Sequence, residues 1–201
     1  MPKFLSKYFL PIIICASAIL AVLRFDSVQI GTSYDDAHYI ILAESLASGQ
    51  GYQLINFPNP QLERAFPVGF PILLTPLTFL FPSNYALLKL LSLVLWLASI
   101  VLIYKLFSKK LSSPHLEILV TLVALNPLLI GTSVTVMSES AYLFFSLLAL
   151  WVGHVFNVTD KKVNYQFALL VIIIFYTFLI RTIGVSLFIS FIIYLLLSKN
   201  F

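Results

Sequence analysis

Six runs of this sequence are apolar for long enough to leave little choice of backbone conformation, at about 8–25, 84–107, 116–134, 138–156, 165–180 and 183–198. A bilayer core of about 30 Å takes roughly 20 residues of helix. In lipid every backbone N–H and C=O must be satisfied within the protein, and a helix does that segment by segment. Composition agrees, with 60% hydrophobic and 10% charged residues, against about 25% charged in soluble domains. The expected fold is all-α: a polytopic transmembrane helical bundle of about six spans, with interfacial helices in a first outer loop at 26–83.

The apolar stretch 66–81 is not counted, because it holds Pro67, Pro71 and Pro76, with Pro82 just beyond. Each proline removes a donor and crowds the turn before it. Short broken helices at the interface, or re-entering it, are expected there. Charge tests the exclusion. With the N-terminus cytoplasmic, the inner loops hold Lys3, Lys7, Lys105, Lys109, Lys110, Lys161, Lys162 and Lys199, eight of the twelve basic residues. That is the positive-inside pattern. Were 66–81 to cross, the Lys105–Lys110 cluster would face away from Lys3 and Lys7.

The outer side then carries Arg24, Arg64 and Arg181, with Lys89 a turn into the second span, and six of the eight acids: Asp26, Asp35, Asp36, Glu44, Glu63 and Glu139. Lysines on the inner side orient the protein. Arginine's planar fork suits a phosphate or carboxylate. A single helix over 165–198 would run about 51 Å, too long for the hydrocarbon, so Arg181-Thr182-Ile183-Gly184 is expected to form a tight turn holding Arg181 at the outer surface.

Other features exclude functions. The formal charge of +4 is small and scattered, so nucleic acid is not an expected partner. The single cysteine, Cys15, has no partner within the chain. Ala16-Ser17-Ala18 imitates a signal-peptidase site, but the apolar run continues through Leu23, so an uncleaved signal-anchor helix is expected. No phosphate-binding loop, nucleophile elbow or zinc spacing occurs. His115 and His154, and the sequon Asn157-Val158-Thr159, fall on the inner side, where none is given a role.

The adjacent acids of Thr32-Ser33-Tyr34-Asp35-Asp36-Ala37-His38-Tyr39 follow the first span directly. From Asp35 to Ser48, Ala37, Ile40, Ile41, Ala43, Leu46 and Ala47 recur at helical spacing, which predicts an amphipathic helix on the membrane surface. Ser33 is the expected N-cap, and Gly49 or Gly51 ends the helix by adopting positive φ. Acids in a first turn are ordinary helix-dipole chemistry. Charge is scarce in membrane proteins and clusters where there is a task for it. The residues leave both readings open.

The order of features resembles the GT-C membrane glycosyltransferases. The first span is followed by Tyr34-Asp35-Asp36, a helix closed by Gly49-x-Gly51-Tyr52, and Phe66-Pro67-Val68-Gly69-Phe70-Pro71-Ile72-Leu73-Leu74. Asn126-Pro127, Ser138-Glu139-Ser140-Ala141-Tyr142 and Leu179-Ile180-Arg181-Thr182 are similar to later segments of that superfamily, with Thr182 where a proline commonly stands. The branch it is most similar to is that of the protein-O-mannosyltransferases and aminoarabinose transferases. The resemblance implies that residues 1–201 correspond to the N-terminal transmembrane catalytic module of longer proteins, with a partner chain as one possible source of the missing spans. It implies a polyprenyl-phosphate-linked sugar as donor, an envelope lipid, glycan or protein as acceptor, and a plasma-membrane location with the site on the outer face.

On that implication Asp35 and Asp36 are the catalytic pair, Asp36 slightly preferred as the base that takes the acceptor's proton. Arg181, Arg64 and Lys89 are the cations for the departing phosphate, with Glu139 beside them in a binding role. Each has a plainer alternative: Arg181 anchoring a helix end, Arg64 pairing with Glu63, Lys89 snorkelling, Glu139 capping. No cofactor is implied. A divalent metal on Asp35, Asp36 and His38 is the weaker alternative. The other functional classes are a lipid-phosphate-binding or transporter subunit that transfers nothing, and an inactive remnant.

Overall fold

The computed structural model describes residues 3–26, 30–31, 33–155 and 165–197, with side chains from Tyr8 onward. Thr32, the sequon at Asn157, Lys161, Lys162 and Lys199 lie outside the described residues, as do the side chains of Lys3 and Lys7. The fold is all-α, with nine α-helices among the described residues. Helix α1 spans Lys3–Arg24 and α2 Asp35–Ala47. A two-residue hairpin, β1 Gln53–Leu54 against β2 Gln61–Leu62, precedes α3 at Gly69–Leu80. Then come α4 (Tyr85–Phe107), α5 (His115–Ala124), α6 (Pro127–Ser133), α7 (Ser138–Val155), α8 (Tyr165–Ile180) and α9 (Val185–Leu197).

Among the described residues, helix α4 alone is long and apolar enough to cross a membrane; α5 with α6 makes a second candidate if the bent pair is one span. At 23 residues, α4 is about 34 Å long. Asn84 opens it by accepting the Leu87 N–H at 3.3 Å. The expected span 116–134 is divided: α5 and α6 meet at 50°. Pro127 has no N–H to give and disfavours helix at Asn126. Asn126 instead caps α6, its side chain accepting from Leu128 at 2.9 Å and Leu129 at 3.3 Å.

Three apolar cores hold the helices. In the first, α1 presents Ile13, Ser17 and Ala21, one per turn, to Trp96 and Ile100 of α4 and Val120 of α5. Trp96 Nε1 donates to Ser17 Oγ at 3.1 Å, which satisfies the one polar atom the buried indole carries. The second packs Tyr39, Ile40 and Ala43 of α2 on Phe70 and Leu74 of α3, with Leu88, Val136, Ala141 and Ile180 around them. The third joins α7 to α8 through Ala149, Val152, Leu170, Ile173 and Ile174. Helix α9 has no buried residue.

Three local expectations are corrected. The stretch 66–81 does not break: α3 is one helix of 12 residues. Pro71 sits in its first turn, where the N–H has no intrahelical acceptor. Pro76 does remove a donor, and burial of Leu74 and Thr78 offsets that loss. Helix α2 does not lie open on a surface either. Leu42 and Ala43 are fully buried, on top of Tyr39 and Ile40, because α3 and the hairpin wrap it. Its N-cap is Tyr34 and not Ser33, for a reason that lies in the Asp36 side chain. Its far end follows expectation. Gly49 (φ 74°) and Gly51 (φ 86°) both adopt positive φ, and Gly49 N–H and Gln50 N–H donate to the Leu46 and Ser45 carbonyls at 3.1 and 3.0 Å. Those two bonds make a Schellman cap.

Candidate active site

One end of the bundle gathers the start of α2, the starts of α4 and α7, and the end of α8. Glycines set that geometry. A Cβ on Gly69 would stand 2.5 Å from the Leu179 carbonyl carbon, and one on Gly184 2.8 Å from Phe178 Cα. Only residues without a side chain allow α3 and the turn after α8 to come that close to the α8 backbone. Tyr176 Oη donates to the Gly69 carbonyl at 3.0 Å and fixes the same crossing. The chain leaves α8 at Arg181 in extended conformation (φ −147°, ψ 134°), turns through a 3₁₀ segment at Thr182–Gly184, and re-enters helix. This is the tight turn expected from the sequence.

Arg181 therefore projects beside the first turn of α7. Its Nη1 donates to Ser138 Oγ at 3.2 Å and forms an ion pair with Glu139 Oε1. Ser138, buried at 1% exposure, shares a second hydrogen bond with Tyr39 Oη at 3.1 Å. Burial raises the Tyr39 phenol above its ordinary value; the Ser138 bond and the Arg181 charge pull it down, while Asp35 and Glu139 push it up. The phenol thus remains protonated across the physiological range, and either hydroxyl can donate in its bond to Ser138. Asp35 is near enough for its charge to act on that phenol, and it is half-buried at the first position of α2. Tyr39, Ser138, Glu139 and Arg181 form one continuous cluster, and Asp35 stands one helical turn before Tyr39 on α2.

Asp36 is in a different position. It is 2% exposed. Its Oδ2 accepts the Gly31 N–H at 3.0 Å and its Oδ1 the Ala37 N–H at 2.8 Å. One carboxylate thereby closes the incoming loop onto α2 and satisfies an orphan donor of the first turn. That leaves nothing for Ser33 to cap. The Ser33 carbonyl instead accepts the Asp35 N–H at 2.6 Å, across Tyr34 at φ 58°, ψ −52°. This is a γ-turn in a sparsely populated region for a non-glycine residue.

Lys89 and Arg64 do not join the cluster. Lys89 is buried at 3% exposure, and its Nζ donates to the Asp26 carbonyl at 2.5 Å, tying the end of α1 to α4. Arg64 is exposed, and its backbone N–H, with those of Ala65 and Phe66, donates to Glu63 Oε1 at 2.7, 2.5 and 3.2 Å. Burial would raise the Glu63 carboxyl, but those three amides, helped by His38, hold it below its ordinary value. Arg24 fixes the α1–α6 contact, donating to the Pro127 carbonyl at 2.7 Å.

A cavity of about 300 Å³ opens beside the Arg181–Glu139 pair. Its walls are apolar (Trp96, Leu129, Tyr142, Leu143 and Ile183), and Glu139, Ser140 and Arg181 supply its polar end. Glu139 Oε2 and Ser140 Oγ are buried there without a hydrogen-bond partner among the described residues. An apolar cavity with a guanidinium at one end has the chemistry to hold an amphiphile with an anionic end. Among the described residues no three His, Cys, Asp or Glu side chains converge on a metal position. Sequence reasoning missed Tyr39 and Ser138 as connectors, although Ser138 stood in the quoted Ser138–Tyr142 segment. Only the folded chain brings residues 99 positions apart into contact. No family model, curated protein or solved structure matches this chain.

Proposed function

We propose that this chain is the N-terminal module of a polytopic membrane glycosyltransferase, which moves a sugar from a polyprenyl phosphate to an envelope acceptor at the outer face of the membrane. In this reading α1, α4, the bent α5–α6 pair, α7, α8 and α9 are its six spans. The shorter ones are accommodated by tilt of their neighbours and local thinning of the bilayer. Exposed apolar residues along α9, such as Leu196 at 70% and Leu197 at 75%, face lipid.

The observation that carries the reading is the chain of contacts from Arg181 through Ser138 to Tyr39, beside an apolar cavity, with Asp35 one helical turn before Tyr39 on α2. Transfer with inversion needs a base for the acceptor hydroxyl and a cation for the departing phosphate. Asp35 takes the base role, since both Asp36 oxygens are engaged by backbone N–H groups. Arg181 receives the phosphate, and the cavity receives the start of the lipid chain.

A second reading, a lipid-phosphate binder that transfers nothing, is favoured by one fact: Asp35 does not line the cavity. Membranes containing the full chain, supplied with radiolabelled polyprenyl-phosphate sugars, separate the two. Label reaching an acceptor with the wild type but not with Asp35→Asn establishes transfer. Donor retained without transfer, and released by Arg181→Ala, establishes the binder. Donor neither retained nor consumed overturns both.

A further inference from the structure

The Arg181 pair uses only one of the two Glu139 oxygens. Oε1 meets Arg181 Nη1, which also donates to Ser138 Oγ at 3.2 Å. Oε2 is buried without a hydrogen-bond partner among the described residues, and so is the neighbouring Ser140 Oγ. Ser140 is 3% exposed, and both residues line the cavity. Buried polar atoms are ordinarily paired, and an ionised carboxylate oxygen only accepts. The group that completes this wall brings a donor. A carboxylate turns readily about its last bond, because that torsion is broad, so either oxygen can meet it. Both Arg181 contacts run through Nη1. A guanidinium carries several more N–H donors in its fork, enough to take a phosphate while Glu139 stays in place.

A carboxylate beside a phosphate sorts phosphates by charge. A lipid phosphate that carries a sugar is a diester with a single negative charge. The bare lipid phosphate is a monoester, with about −1.5 to −2 at pH 7. Repulsion from Glu139 rises with that charge, and the cavity's apolar walls screen it less than open water does. The sugar diester also brings hydroxyls next to its phosphate, the donors that match Glu139 Oε2 and Ser140 Oγ. A phosphate dianion has no proton to give.

We propose that Glu139, assisted by Ser140, is a specificity-determining residue that tells a sugar-loaded lipid phosphate from the spent carrier. This rests on the transferase reading and deepens it by giving the site a means of turnover. Transfer breaks the bond between the anomeric carbon and a phosphate oxygen, which keeps the electron pair. The acceptor oxygen bonds to that carbon and its proton goes to the base. The carrier is left as a monoester, so the reaction itself turns the ligand that Glu139 favours into the one it repels.

The test is calorimetry on the full chain in nanodiscs without acceptor, with three kinds of single-chain probe. Dodecyl phosphate is the bare monoester, methyl dodecyl phosphate a diester without hydroxyls, and glucosyl and mannosyl dodecyl phosphate the loaded diesters. The wild type should bind a loaded diester best and the monoester worst. Glu139→Gln should cut the preference for loaded diester over monoester about tenfold. Ser140→Ala should narrow the lead of the loaded over the methyl diester about threefold and leave methyl against bare unchanged. Arg181→Ala should lose all the probes. If every probe needs Arg181 but the wild type binds them alike, or both Glu139→Gln and Ser140→Ala keep the wild-type ratios, the discrimination is wrong and the lipid-phosphate site stands. If the wild type binds none of them, or Arg181→Ala binds them undiminished, the transferase reading fails and the proposal with it. Binding in the expected order by a chain that transfers no label upholds the discrimination and places it in a binder.

Discussion

Glu139 already occupies the cation that an incoming phosphate needs, and the strength of that competition follows from the geometry. The two side chains of the Arg181–Glu139 pair are 37% and 35% exposed. Unit charges about 4 Å apart attract by roughly 4 kcal/mol at an effective dielectric near 20. Exposed pairs deliver under about 1 kcal/mol net, and a pair one-third exposed should fall between, near 1–2 kcal/mol. A phosphate has to displace the carboxylate or share the guanidinium with it. Glu139→Gln keeps the shape and the Ser138 contact while removing the competing charge. It should therefore tighten binding of a single-chain lipid phosphate about 5- to 30-fold. Dodecyl phosphate titrated into the nanodisc-embedded chain, followed by calorimetry, measures this directly, with Arg181→Ala as the control that loses binding. If Glu139→Gln binds the phosphate no better than wild type, or worse, Glu139 is a partner of the ligand and not its competitor, and the electrostatic argument fails.

Further consequences concern single positions. Asp35→Asn should reduce transfer by about 10²–10⁴-fold with little change in melting temperature. Asp36→Ala removes the charged acceptor of the Gly31 and Ala37 N–H groups and should cost about 1–3 kcal/mol of stability, read as a lower melting temperature. Gly69→Ala forces a Cβ against the α8 backbone. It should destabilise by about 1–3 kcal/mol and lose donor retention, because Arg181 moves with α8. The Glu63 turn has a definite pH signature. Its carboxyl is held below the ordinary 4.5, so its contribution is fully present above that value and lost as pH falls through the lowered one. Melting curves of wild type and Glu63→Gln should differ at pH 7 and converge as pH falls through the lowered value.

The parts of this architecture that were legible in the sequence are those governed by local rules. Apolar length marked α4, α7 and α8 to within a residue or two, and the excessive length of one unbroken apolar run over 165–198 marked the turn at Arg181. Gly49 and Gly51 announced the end of α2. The failures have a common cause, in that a tertiary contact outweighed a local preference. Three prolines argued against α3, but its packing on α2 and α8 holds the helix together. Ser33 is the better capping residue in isolation, yet the Asp36 carboxylate reaches Ala37 and Gly31 first. The division of the expected span 116–134 at Asn126-Pro127 is the exception, a miss with a local cause in the proline. Among the expected site residues the fold pairs Glu139 with Arg181, while Lys89 donates to the Asp26 carbonyl and Arg64 is exposed; charge sorting along a sequence carries no information on such positions.

The two close approaches at Gly69 and Gly184 mean that Arg181 is located by main chain resting on main chain. Its placement owes little to which aliphatic side chains surround it. The exposed positions of α8, such as Leu169, Val171, Ile172, Phe175 and Phe178, are free to exchange among apolar residues over generations, while Leu170, Ile173, Ile174 and Ile180 are held by the cores. Inheritance of the site would then depend on two positions that carry no side chain, together with the arginine they hold. Lineages of such a protein would diverge rapidly in sequence while the guanidinium stayed where it is.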